Sequence, residues 1–119
     1  MTRPPSERTR AVRAALDTDT QHGAVVPPIH LSSTYSFEGF GKKRQYDYSR
    51  SGNPTRDALG AAIAELEGGA GGVVTGSGMG AVTLVAHLPK AGELVLVPRD
   101  CYGGTFRLFT ALARQGVLR

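Results

Sequence analysis

A tyrosine and an arginine two positions apart form the most informative chemical pair in the sequence. Tyr48 and Arg50 stand in the segment YDYSRSGNPTR, and alternate residues of an extended segment point to the same side of the backbone. The phenol supplies one donor, whereas the guanidinium supplies a planar fork of donors. A lone Tyr-x-Arg pair is more often part of a polar loop, but a second anion-binding pattern follows. We therefore predict that Tyr48 and Arg50 bind one anion together.

The second pattern is a glycine-rich turn, VVTGSGMGA, at residues 73–81. A strand that ends in glycine and leads into a helix leaves free backbone N–H groups at the positive end of the helix dipole. We therefore predict that Gly78 and Met79 bind a phosphate through their backbone amides.

The same turn also matches the dinucleotide fingerprint G-x-G-x-x-A, which runs from Gly76 to Ala81. Asp100 follows about 20 residues later, where a ribose-binding acid is expected. A Rossmann-type, NAD-binding fragment is therefore an alternative. We favour the single-phosphate site, because Rossmann units usually open a domain and would give no role to Tyr48 and Arg50.

A candidate aromatic residue follows the next apolar segment, in DCYGGTFR at residues 100–107. Tyr102 is expected at the carboxyl edge of a parallel sheet, where ligands of open α/β folds bind. A tyrosine beside two glycines can lay its ring against a flat heteroaromatic group, although a ring that fills a packing gap is the simpler alternative. Phosphate donors and a stacking ring together favour pyridoxal phosphate, which has one phosphate and one flat ring.

Composition excludes several function classes. The 119 residues carry a net charge of +4, but the basic residues are scattered and the longest run is Lys42–Arg44. Without a nucleic-acid-binding motif, this charge does not predict nucleic-acid binding. One cysteine excludes an internal disulfide and is typical of a reducing compartment. No apolar run approaches the roughly 18 residues of a membrane span, so we expect a cytoplasmic protein without a membrane partner.

The predicted secondary structure that must position these residues changes near residue 54, from mostly irregular to regularly alternating. Before it, the sequence predicts one helix, around residues 6–16, and an extended arm at 25–37 that contains two consecutive prolines. A structureless segment this long is uncommon in a compact domain unless it is functional or docked. We therefore expect the arm to pack on another subunit.

From residue 54 onward the pattern alternates between helices and strands. Asn53 and Pro54 read as the N-cap and first residue of a helix. Helices are predicted at about 55–67, 79–88 and 103–114, and strands at 72–75, 93–97 and 116–118. This alternation indicates a parallel, doubly wound α/β sheet. Because so few strands cannot close such a sheet, we expect the chain to stop part-way through the fold.

At this point the segments resemble a known family. They are VPPIHLSSTY (26–35), YSRSGNPTR (48–56), LEGG (66–69), SGM (77–79) and DCYGGT (100–105). In order and spacing they resemble the cystathionine γ-synthase group of the Cys/Met-metabolism enzymes that depend on pyridoxal phosphate. The resemblance implies fold type I, the aspartate-aminotransferase-like fold of these transferases. Residues 1–53 would be the N-terminal helix and intersubunit arm, and 54–119 the start of the cofactor-binding large domain.

The resemblance also implies roles for the candidate residues. Gly78 and Met79 would offer amides to the cofactor phosphate, and Tyr48 and Arg50 would bind the phosphate of the neighbouring subunit's cofactor. Tyr102 would stack on the pyridine ring and take part in proton handling near the substrate amine.

Two further residues, Asp47 and Arg107, would contact polar groups of the substrate. Ser51 stands where some relatives carry a second arginine. The family's quaternary structure implies a homotetramer built as a dimer of dimers.

The reaction implied by the resemblance is a γ-replacement. Cysteine would displace the acyl group of an O-acylhomoserine ester, expected to be O-succinyl, and yield cystathionine for methionine biosynthesis. Cystathionine lyases and O-acylhomoserine sulfhydrylases share much of this sequence and are the alternatives.

A lysine that carries the cofactor as a Schiff base is not evident. The lysines are Lys42, Lys43 and Lys90, and each lies in a predicted loop or turn rather than beside the expected ligand edge. We expect the family's lysine to lie beyond residue 119, so that the chain alone is inactive and binds the cofactor weakly. A non-catalytic interaction fragment is therefore a further alternative.

Overall fold

The computed structural model describes residues 4–119 and contains helices α1 (Glu7–Val12), α2 (Pro54–Glu67), α3 (Gly78–Ala86) and α4 (Gly103–Arg114). The three helices predicted after residue 54 are confirmed, α4 with its predicted bounds. The chain divides into two compact units, the first ending at Val74 and the second running from Thr75 to Arg119.

Helix α2 has residues at both ends that specify where it begins and ends. The Asn53 side chain accepts hydrogen bonds from the first-turn amides, and Pro54 is the first helical residue, as predicted. At the other end, Gly68 adopts a left-handed conformation with φ of 66°. The amide of Gly69 then donates to the Ala64 carbonyl at 2.8 Å, which closes the helix in a Schellman-type turn.

Helix α1 is shorter than the sequence predicted. It ends at Val12 instead of near residue 16, and Ala15 and Asp17 have positive φ angles of 58° and 60°, outside the right-handed helical region. None of its residues is buried. A short helix without a buried face gains little from tertiary packing, which supplies most helix stability in proteins.

The predicted strands are not formed as regular strands in residues 4–119. Two segments nevertheless lie side by side in the parallel direction. The Val95 amide donates to the Arg119 carbonyl at 2.7 Å, and the Arg119 amide donates to the Glu93 carbonyl at 2.9 Å. Residues 72–75 have no strand partner within the described part of the chain. A strand requires a paired neighbour, so sequence propensity alone does not produce one.

The prediction of a buried strand at 93–97 is also wrong for this chain. Leu94 is 66% exposed and Leu96 is 86% exposed. Among the described residues, the buried hydrophobic side chains are Ala64, Ala86 and Leu118. A parallel sheet is buried only when helices cover both of its faces, and residues 4–119 do not supply those covering layers.

Within the described range, every helix is too short or too polar to cross a bilayer.

Candidate functional site

Tyr48 and Arg50 lie against each other in the first unit, as predicted. An Arg50 guanidinium N–H donates to the Tyr48 phenol oxygen at 3.3 Å, and the guanidinium carbon lies 5.1 Å from the centroid of the ring. Both side chains are exposed, so their donors are open to a ligand. The pair therefore presents a phenol and a guanidinium from one small patch of surface.

The reason for this proximity differs from the predicted one. Residues 49–51 form a turn rather than an extended segment. The amides of Ser51 and Gly52 both donate to the Tyr48 carbonyl at 3.0 Å. The turn folds Arg50 back over the tyrosine, so the prediction of same-side alternation in an extended strand was wrong.

Asp47 organises this turn. Its Oδ1 accepts hydrogen bonds from the Tyr48 amide at 2.8 Å and from the Ser51 hydroxyl at 2.7 Å. The Ser51 hydroxyl, then the Tyr48 amide, lower the pKa of the Asp47 carboxyl below its usual value. Lys43 adds a distant ion pair at 3.9 Å. The carboxylate is thus already engaged by its own loop, at the position for which the sequence predicts a substrate contact.

The N-terminus of α3 fits an anion. The Ser77 hydroxyl accepts a hydrogen bond from the Gly80 amide at 3.1 Å, and the Thr75 hydroxyl donates to the Ser77 carbonyl at 2.7 Å. Within residues 4–119, the amides of Gly78 and Met79 have no hydrogen-bond partner. Two unpaired donors at the positive end of a helix are suited to a phosphate.

Tyr102 lies beside these amides, in the same unit. It precedes α4 and is 72% exposed. An open concavity of about 470 Å³ lies between α3 and α4, lined by Ser77, Gly78, Met79, Val82, Tyr102 and Thr105. The structure therefore brings together the three cofactor-binding candidates of this unit, Gly78, Met79 and Tyr102, with free amides on one side and an aromatic ring on another. This arrangement fits a ligand with a phosphate and a flat ring.

Gly104 shapes this concavity, a role that the sequence did not predict. A Cβ atom on Gly104 would lie 2.7 Å from Cε1 of Tyr102 and 2.9 Å from the sulfur of Met79. Only a residue without a side chain allows the ring and the thioether to approach α4 this closely. The double glycine after Tyr102 was the available signal, but its meaning depends on the position of Met79.

Arg107 lies elsewhere on α4. It lines a separate, shallow concavity of about 370 Å³, together with Phe106, Thr110, Ala111, Arg114 and Gln115. The structure of the second unit therefore does not bring Arg107 to the concavity of Tyr102. In the part of the chain that is described, no cluster of His, Cys, Asp and Glu side chains is arranged to hold a metal ion.

Known proteins resemble this chain over almost its whole length. Residues 8–119 match the family model described as Cys/Met metabolism PLP-dependent enzyme. The chain is 57% identical to cystathionine gamma-synthase of Escherichia coli over 95% of its own length and 30% of that protein. It is 43% identical to cystathionine beta-lyase of Lactococcus lactis, again over 95% of its own length and 30% of the relative.

Solved structures give the same result. A cystathionine gamma synthase from Xanthomonas oryzae, crystallised with cystathionine, matches 98% of this chain with a TM-score of 0.90 and 61% identity. Cystathionine gamma-lyase from yeast matches it with a TM-score of 0.80 and 34% identity, over 100% of the chain. In both cases the match covers 30% of the other chain.

These findings confirm the resemblance. The chain shares its fold with solved cystathionine synthases and lyases and spans about 30% of the length of the relatives it matches. Because the enzymes of this family depend on pyridoxal phosphate, the match disfavours the alternative of an NAD-binding fragment. The chain belongs to the Cys/Met-metabolism family of enzymes that depend on pyridoxal phosphate.

Proposed function

We propose that this chain is the N-terminal portion of a cystathionine γ-synthase. The whole enzyme would replace the acyl group of an O-acylhomoserine ester, expected to be O-succinyl, with cysteine to give cystathionine in methionine biosynthesis. Identities of 57% and 61% to two cystathionine gamma-synthases exceed the 49% and 43% to two cystathionine beta-lyases and support this choice, although a probable cystathionine gamma-synthase, at 46%, falls within the range of the lyases. A cystathionine lyase is the second candidate, because the identity to lyases is still substantial.

One observation carries the proposal. The free amides of Gly78 and Met79 and the ring of Tyr102 line the same concavity, which suits the phosphate and the pyridine ring of pyridoxal phosphate. When bound in an enzyme, this cofactor supplies an electron sink for bonds at the substrate carbons. The role of Gly78 and Met79 would be to bind the phosphate, and that of Tyr102 to orient the ring and handle a proton near the substrate amine.

The first unit would contribute to a second copy of the enzyme. We propose that Tyr48 and Arg50 bind the phosphate of the cofactor held by a neighbouring subunit, within a cytoplasmic homotetramer. Residues 1–53 would then serve as the intersubunit region, and residues 54–119 would begin the cofactor-binding domain. Of the two candidates for substrate contact, Arg107 remains available, whereas Asp47 would act on substrate only if the turn released its carboxylate.

Catalysis would require a lysine in a setting that this chain does not supply. Lys42 and Lys43 lie in the loop before the Tyr48 turn, and Lys90 lies in a turn after α3. We propose that the chain alone is inactive and binds the cofactor weakly. Co-purification with a complete family subunit would instead identify it as an interaction fragment.

The phosphate role can be tested by titrating the chain with pyridoxal 5′-phosphate, pyridoxal and inorganic phosphate, with binding followed by NMR. Phosphate-bearing ligands should bind and pyridoxal should not. Followed at the ring resonances of Tyr48, phosphate binding should weaken about tenfold in Arg50→Ala, the scale of one charge-assisted hydrogen bond. Arg44→Ala removes the same charge from an exposed side chain of the same unit and should change affinity less than about twofold. Equal binding of pyridoxal, or equal losses in the two variants, would contradict the proposal.

A further inference from the structure

The first turn of α2 is linked to two separate segments of the first unit. Oδ1 of Asn53 accepts from the amides of Thr55 and Arg56 at 2.9 and 3.2 Å, as an N-cap does. Its Nδ2 also donates to the His30 carbonyl at 3.1 Å and to the Tyr35 phenol oxygen at 3.2 Å. Both lone pairs and both amide hydrogens are therefore used, which exceeds what a helix cap requires.

Arg56 links the same helical turn to the anion-binding pair. Its guanidinium donates to the Ser49 carbonyl at 2.9 Å in a partly buried setting. Ser49 stands between Tyr48 and Arg50, so this hydrogen bond holds the turn that carries both side chains. The charge of the donor makes the hydrogen bond stronger than one between neutral groups.

The segment that lies opposite the turn, residues 30–35, is hydrogen-bonded both to Ser49 and to the first turn of α2. The Ser49 amide donates to the Ser33 carbonyl at 2.9 Å, and the Ser49 hydroxyl donates to the Ser32 carbonyl. The Thr55 hydroxyl accepts from the His30 amide at 2.9 Å. Residues 30–35 therefore lie behind the turn as its backing segment. Hydrogen bonds from the N-cap and first turn of α2 hold both the turn and this segment.

The side chains of Tyr48 and Arg50 have little support of their own, so their placement depends on the backbone of the turn, which the Asp47 carboxylate also holds. Both are exposed, and a surface cation–π pair and one long hydrogen bond contribute only weakly to orientation. We propose that Asn53 and Arg56 are positioning residues, which hold the Tyr48–Arg50 pair in its anion-binding geometry. This inference rests on the proposed role of that pair in phosphate binding.

The variant Asn53→Asp separates capping from positioning. Aspartate is as good an N-cap as asparagine, so α2 should persist. It has no amide hydrogens for His30 and Tyr35, and it places a carboxylate oxygen against the His30 carbonyl. Arg56→Gln removes the charged donor to Ser49, and Arg56→Lys restores a charged donor at that position.

Amide hydrogen exchange on the 119-residue chain measures how these substitutions change the stability of the turn. The amides of Ser49, Ser51 and Gly52 are hydrogen-bonded within the turn or its backing. They should exchange about tenfold faster in Asn53→Asp and Arg56→Gln, while amides inside α2 change less than about twofold. Arg56→Lys should recover much of the protection, and Arg44→Gln should leave all of these amides unchanged.

Inorganic phosphate gives the functional readout, followed at the side-chain resonance of Arg50. The phosphate concentration at half-saturation should rise about five- to tenfold in Asn53→Asp and Arg56→Gln, but not in Arg44→Gln. Unchanged exchange and affinity would overturn the proposal. Equally faster exchange of the amides throughout α2 would also overturn it, because Asn53 and Arg56 would then only stabilise the helix. So would an absence of exchange protection at Ser49, Ser51 and Gly52 in the unaltered chain. If phosphate does not bind the unaltered chain, the proposed role of Tyr48 and Arg50 fails, while exchange still decides whether α2 holds the turn.

Discussion

Replacing Gly60 with alanine is expected to destabilise the chain by about 2 kcal/mol, within the range typical of overpacked sites. A Cβ atom on Gly60 would lie 2.6 Å from the carbonyl oxygen of Gly72. A Cβ on Gly72 would likewise collide with the Gly60 carbonyl. Because the colliding atoms belong to the backbone, no side-chain rotation can relieve the contact, and the segment after α2 must move.

This prediction opposes intrinsic helix propensity. An alanine inside a helix is favoured over glycine by up to about 1 kcal/mol, so a neutral site would become more stable. Urea unfolding followed by far-ultraviolet circular dichroism measures the difference. Gly71→Ala is the matched control, since a Cβ there meets no atom within 4 Å, and it should shift the midpoint very little. A Gly60→Ala chain as stable as the unaltered one would contradict the close approach of α2 to residue 72.

Replacing Gly104 with alanine is expected to displace the Tyr102 ring while leaving stability nearly unchanged. The atoms that a Cβ would strike are the ring edge of Tyr102 and the sulfur of Met79, and both belong to side chains that can rotate away. The gain in helix propensity in α4 offsets part of the cost. The substitution should therefore reduce ligand affinity rather than folding stability.

The ring resonances of Tyr102 and the methyl resonance of Met79 should both shift in Gly104→Ala. Pyridoxal phosphate should bind about three- to tenfold more weakly, the scale of one aromatic stacking contact. Gly103→Ala is the control, because its Cβ would come no closer than 3.4 Å, to an Arg107 guanidinium nitrogen. Unshifted Tyr102 and Met79 resonances in Gly104→Ala would show that glycine is not required there.

Features encoded by neighbouring residues were predictable from sequence. The N-cap at Asn53, the glycine stop at Gly68 and the bounds of α4 depend on side chains within one helical turn. The unpaired amides of Gly78 and Met79 follow from the same local chemistry, since a glycine turn leads directly into a helix.

Features that depend on distant partners were not predictable. Residues 93–97 have high strand propensity, yet strand formation and burial require neighbours from other parts of a sheet. The turn at Tyr48 was missed for a different reason. An aspartate followed by a serine four residues later can fold a loop through side-chain hydrogen bonds, and the prediction of an extended segment overlooked the Asp47–Ser51 contact.

Reductive labelling tests the central claim most directly: that the chain carries phosphate-binding elements of the cofactor site without a lysine placed to attach the cofactor. The chain would be incubated with pyridoxal phosphate, reduced with borohydride and mapped by mass spectrometry, with pyridoxal as the control. We expect low, distributed labelling of Lys42, Lys43 and Lys90, as for ordinary exposed amines. Near-complete labelling of one of these lysines by pyridoxal phosphate, but not by pyridoxal, would contradict the account.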